Sequence, residues 1–274
     1  MAQHNEVRVV GYIKEEPKIV KLDDEENAIR VIFPIRTVHR DVAGYPGGKF
    51  ADLMVMCDSN EKNLRLMSTL KKDDVVSIKG VINIAFAVKQ SKCPECGTPN
   101  YKENTTITFI YPIFIERRDS YANIKDKEEQ LYRQYEEISN EIKLIGTVSK
   151  DPELIMVHGN KEINDFRNRE CCKFPLGIDR KFYIPSQSNL FSDYPWIYSY
   201  GQDAQVDFEN VKKGMVCFLD GFLQAIPIEV EMECEECGAN YTYNDASYSI
   251  VPYSMEYMPW SHVPDEEDEE EDEA

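Results

Sequence analysis

The feature that most constrains this 274-residue chain is that it is written twice. Asn5, Val7 and Gly11 recur as Asn140, Ile142 and Gly146 at an offset of 135, and Glu16-Pro17 recurs as Asp151-Pro152. From Phe33-Pro34-Ile35 against Phe174-Pro175-Leu176 the offset becomes 141. It then holds through Leu70-Lys71-Lys72 against Val211-Lys212-Lys213, Gly80 against Gly221, and Cys93-x-x-Cys96-Gly97 against Cys234-x-x-Cys237-Gly238. So many anchors in one order mark a tandem duplication. Whatever folds once must fold again in the second half.

Each copy is mostly β. Val7, Val9 and Ile13 alternate with polar residues as a half-buried strand does, and Ile29–Thr37 and Asp52–Cys57 read as two further strands. Residues 60 to 70 place Leu66 and Leu70 four apart behind the capping residue Asn60, which predicts a short helix. Val75–Ile84 and Thr106–Ile115 are the fourth and fifth strands, with the cysteine hairpin between them. Three strands, a helix and two strands is the order of a five-stranded Greek-key barrel of the oligonucleotide/oligosaccharide-binding (OB) type. The predicted organisation is mainly β: one barrel over 1–118, a helical linker over 119–139, a second barrel over 140–262 and a disordered tail over 263–274. The linker, Tyr121 to Ile138, carries one apolar stripe of Ile124, Leu131, Tyr135 and Ile138, and is expected to lie along a barrel.

The net charge of −19 argues against a polyanionic partner until it is divided along the chain. Residues 1 to 115 hold 16 Lys/Arg against 15 Asp/Glu; residues 142 to 264 hold 10 against 18. The stretch from Asp265 to Ala274 holds nine acids and no base, a self-repelling block that cannot form a core. No run reaches the roughly 20 apolar residues of a membrane span, and Met1 to Asn5 lack a secretion-signal layout. The chain therefore reads as cytoplasmic, in a bacterial host cell.

Taken together, Asn5-x-Val7-x-x-x-Gly11, its copy at Asn140, the turn Asp151-Pro152-Glu153-Leu154, the segment Val211-Lys212-Lys213-Gly214-Met215-Val216 leading to Gly221, and the acidic C-terminus resemble the bacterial and phage single-stranded DNA-binding proteins. The resemblance implies OB barrels that coat and protect single-stranded DNA during replication or recombination, without sequence preference and without catalysis, in a phage or mobile-element setting. It also implies replication proteins as partners of the acidic tail. Members of that family usually hold one barrel per chain, so two barrels here imply a monomeric pseudo-dimer or a homodimer. Their tails usually end in a hydrophobic residue, whereas this one ends Asp272-Glu273-Ala274. C-x-x-C pairs are not an ordinary family feature.

Binding any single strand needs aromatic faces for bases and cations for phosphates. In the first copy the candidates are Arg36, His39, Arg40, Tyr45, Lys49 and Phe50, followed by Lys79, Phe86, Lys89 and Lys92 on the fourth strand and its hairpin. In the second they are Lys173, Arg180, Lys181, Phe182, Tyr183 and Trp196, in a neighbourhood that includes Phe191, Tyr194, Tyr198 and Tyr200. The charge balance predicts that the first copy carries more of the salt-dependent affinity. Phe33 and Phe174 read as core.

Two residues between thiolates let one turn aim both sulfurs at a single ion, and the glycine after the second cysteine permits the sharp backbone path. Each pair supplies two ligands where a structural zinc takes four. The simplest completion is one site shared by Cys93, Cys96, Cys234 and Cys237. The alternatives are pairs completed from another chain or by a nearby His or Cys such as Cys57 or Cys217, or no metal at all, including a disulfide or redox pair. Cys171 and Cys172, adjacent on a strand, read as packing residues. No phosphate-cradling glycine loop, His-Glu-x-x-His helix or serine elbow points to an enzyme. Two rival readings of the duplicated barrel are an acidic protein-interaction adaptor or DNA mimic without nucleic-acid binding, and a zinc-ribbon subunit of a transcription or replication assembly.

Overall fold

The computed structural model describes residues 4–21, 29–118, 125–158, 167–180 and 191–258. The acidic tail, Ile124 and the candidates Lys181, Phe182 and Tyr183 lie outside the described residues. In the first copy β1 (His4–Ile13), β2 (Lys18–Lys21), β3 (Ile29–Val38) and β4 (Phe50–Cys57) precede helix α1 (Glu61–Met67); β5 (Val75–Lys92) and β6 (Pro99–Arg117) follow it. After helix α2 (Lys127–Tyr135) the second copy repeats the order with β7 (Asn140–Val148), β8 (Glu153–Val157), β9 (Arg169–Asp179), β10 (Ser192–Asp193), β11 (Trp196–Tyr200), α3 (Gln202–Asn210), β12 (Val216–Glu233) and β13 (Asn240–Met258).

Each copy closes into a barrel. β1 pairs with both β3 and β5, β3 with β4, and β5 with β6; a parallel contact, Val55 to Ile110, joins β4 to β6. The second ring is β7-β9-β11-β13-β12, closed by the parallel contact of Ile197 with Ile250. With the helix between the third and fourth barrel strands, this is the five-stranded Greek-key architecture that the element order predicts. The barrels are filled by inward-facing residues that include Phe33 and Phe174, both fully buried, and Cys171 and Cys172 are buried as well.

The repeated residues answer backbone demands. A Cβ on Gly80 would lie 2.4 Å from the Tyr111 carbonyl oxygen, and one on Gly221 2.3 Å from that of Val251. Both sit where the hairpin strand shifts register, so the crossing tolerates no side chain. Asn5 donates its amide to the Ile82 carbonyl and accepts the Ile82 N–H, both at 2.9 Å. Asn140 makes the same two bonds to Leu223, at 2.8 and 3.1 Å. Each asparagine thereby continues the ladder where its own strand leaves the hairpin.

The two barrels join edge to edge. β1 and β7 pair antiparallel with Val7 opposite Ile142, residues at the same place in the two copies, so a pseudo-twofold axis passes between them. Ser139 reinforces the seam, donating its hydroxyl to the Val10 carbonyl and accepting the Val38 N–H. Helix α2 is shorter than the stripe suggests: Leu131 and Tyr135 pack with Val10, Val38 and Val75, while Ile138 falls in the following turn and is exposed. The other departure is length. The fourth strand runs on from Ile84 to Lys92, and its counterpart to Glu233, because the two long hairpins brace one another beyond the barrels.

Candidate nucleic-acid interface

Hairpins β5–β6 and β12–β13 touch through a few side chains near their tips. Lys89 pairs with Asp245 at 2.5 Å, and the Ser91 and Tyr241 hydroxyls bond at 2.7 Å. At the tips, the Cys93 and Cys237 sulfurs are 3.7 Å apart and those of Cys96 and Cys234 3.6 Å, with all four within 4.8 Å of one another. A tetrahedron with metal–sulfur bonds of about 2.3 Å has edges of about 3.8 Å. Two of the sulfur–sulfur distances match that edge, and the four thiols are close enough together to hold one ion. Gly97 and Gly238, at φ +75° and +70°, take the left-handed conformation that each knuckle requires.

The surroundings favour the thiolate at Cys234. The Asn100 amide approaches the Cys234 sulfur at 3.6 Å. The Cys237 backbone N–H does most to bring the Cys234 pKa down, to about 6. Cys57 and Cys217 are buried inside the barrels and take no part in the group.

Between the hairpins and the Ser192–Trp196 segment lies a cleft of about 570 Å³. Phe86, Tyr194 and Trp196 stand around it, 71%, 53% and 37% exposed, with Lys102 on its wall. Its rim is held from both halves of the chain. Arg180, its side chain 6% exposed, bonds Asp193 at 2.6 and 2.8 Å and the Ile84 carbonyl at 2.7 Å, while Asp193 accepts the Ile84 N–H at 2.8 Å. Arg180 is thus a staple between the barrels. Lys173 lies over the Trp196 ring at 5.5 Å and pairs with Glu153.

The hairpin of the first copy turns Phe86, Val88, Gln90 and Lys92 outward, with Tyr101 beside Gln90; all are exposed. The equivalent positions of the second hairpin are Pro227, Glu229, Glu231 and Glu233. Lys79 is exposed and pairs with Glu6.

The remaining candidates are engaged in packing. Arg36 forks onto Asp52 at 2.7 and 2.8 Å and reaches Glu128 at 2.5 Å, and the bond to Asp52 does most to raise its pKa further. The segment from His39 to Lys49 crosses onto the second barrel. His39 stacks on Phe222 with centroids 3.8 Å apart, and Tyr45 sets its ring edge to Phe222 and Tyr200. Arg40 lies 4.0 Å over the Tyr253 ring. Lys49 bonds Asp41 and Glu136, and Phe50 packs near the linker helix. Tyr200 is buried.

Sequence reasoning passes over Lys102, Asp193 and Asp245. No local pattern marks Asp193 or Asp245, because Ile84 and Lys89, which they meet, lie in the other half of the chain.

No protein-family model and no curated protein matches the chain. Among solved structures, the wild-type single-stranded DNA binding protein from Thermus aquaticus aligns with a TM-score of 0.59 at 10% identity, covering 97% of each chain. A deletion mutant of the same Thermus aquaticus protein aligns with a TM-score of 0.57 at 11% identity, covering 96% of each. At such identity the likeness is one of architecture. Over nearly its whole length, the chain has the fold of the Thermus aquaticus single-stranded DNA binding protein.

Proposed function

We propose that this protein binds single-stranded DNA without sequence preference and protects it during replication or recombination, in a phage or mobile-element setting. The observation that carries the reading is the set of exposed rings, Phe86, Tyr194 and Trp196, gathered around one cleft with Lys89 and Lys102 on such a fold. Aromatic faces that a core could have buried are instead turned toward solvent, where bases stack. Zinc is the ion that suits four thiolates in this geometry, and it would hold the hairpin tips together. The acidic tail is a recruitment point for replication proteins. The chain supplies its own pseudo-dimer.

Titration of fluorescent oligo-dT at two salt concentrations tests the reading. The expected result is tight binding with tryptophan quenching, weakening roughly tenfold or more between about 50 and 200 mM salt. Absence of binding at the lower concentration refutes it and leaves the adaptor.

A further inference from the structure

We infer that the cleft between the hairpins is a pocket for a single unstacked nucleotide, and that the Lys89–Asp245 pair on its wall reads the edge of the base. The inference rests on the single-strand reading above and adds to it a discrete site. At about 570 Å³ the cleft falls within the roughly 300–1,000 Å³ of small-molecule pockets. It is built jointly by the two halves of the chain, and the Arg180–Asp193 staple fixes the segment that carries Tyr194 and Trp196.

The chemistry of the wall is specific. Lys89 and Asp245 are about one-fifth exposed, enough to meet a ligand while remaining ordered by one another. The ammonium spends one of its three donors on Asp245 Oδ2, and Asp245 Oδ1 accepts the Ala246 N–H. Donors on Lys89 and lone pairs on Asp245 therefore remain, side by side. Every nucleobase presents a donor next to an acceptor on its pairing edge, so the pair can accept any base that has left its stack. The Trp196 and Phe86 rings offer faces for stacking and Lys102 a charge for the phosphate. An exposed groove would hold bases only by their faces; this cleft also engages an edge.

A protein with Trp260→Phe leaves Trp196 as the sole tryptophan reporter. Three measurements on it separate the outcomes: anisotropy with oligo-dT, Trp196 fluorescence with dTMP or with deoxyribose 5-phosphate, and photocrosslinking of an oligonucleotide carrying 5-iodouracil. The expected result is that the oligonucleotide binds and crosslinks to Trp196, Tyr194 or Tyr248. In addition, dTMP but not the sugar phosphate quenches Trp196, and Asp245→Asn weakens that quenching about tenfold. Should the Asn variant fold poorly, Lys89→Gln serves instead: it removes the other member of the pair and leaves Trp196 in place as the reporter. If the oligonucleotide binds but crosslinks only to Tyr101, on the hairpin face away from the cleft, and dTMP is silent, the pocket is overturned while strand binding stands. If dTMP quenches and the oligonucleotide does not bind, the assignment to a strand is overturned and the cleft belongs to free nucleotides.

Discussion

The two long hairpins differ where it matters for binding and agree where it matters for folding. Strands β5 and β12 are both 18 residues long, both carry the glycine at the register shift, and both are clamped by an asparagine from the neighbouring strand. Their outward alternate positions have diverged completely: Phe86, Val88, Gln90 and Lys92 on one, Pro227, Glu229, Glu231 and Glu233 on the other. Backbone crossings admit few residues, whereas a solvent-facing position in a strand admits almost any. Duplication has therefore kept a shared frame and released one face to carry three glutamates where its twin carries Val88, Gln90 and Lys92.

The largest effect that sharpens this comparison concerns stability. Unit two places Asp207 where unit one has Leu66, and burial pushes that carboxyl up to about 6. In the unfolded chain it titrates near 3.9, so between those values the native state holds a proton that the unfolded state has released. Stability from this group is complete below about pH 4 and falls as pH rises through 6, by up to about 3 kcal/mol. Asp207→Asn should remove that decline, raising the stability of the protein at pH 7, as denaturant unfolding at pH 5 and 7 will show. An unchanged pH slope would mean that the buried carboxylate costs nothing.

Next in size is the stacking face. Phe86→Ala should weaken oligo-dT binding by about 2 kcal/mol, roughly 30-fold, while Pro227→Ala at the matching place leaves it unaltered. Equal losses in both variants would erase the distinction between the hairpins.

What could be read from the sequence follows the same division. Asn5, Gly11 and Gly80 are legible because each answers a demand within its own copy, and the copy is present twice to check it; the cysteine pairs are legible from their spacing, although the group they form spans both copies. Arg36, His39 and Tyr45 look like loop residues offered to a ligand. Their partners lie far away in sequence: Glu128 beyond the first barrel, and Phe222 and Tyr200 in the second. A local pattern of rings and cations reads alike whether it meets a strand of DNA or the neighbouring barrel. The hairpin length is likewise hidden, since its outer half is polar on one face and finds its support only in the other hairpin. Trp196 and Phe86, in contrast, find no such partner to cover them and remain exposed.

Chemical footprinting with mass spectrometry tests the central asymmetry most directly. The protein is acetylated on lysine and labelled on carboxylates with and without saturating oligo-dT. The account predicts that Lys92 and Lys102 become protected while Glu229, Glu231 and Glu233 label as before. Protection of the three glutamates, with Lys92 and Lys102 unaffected, would contradict it.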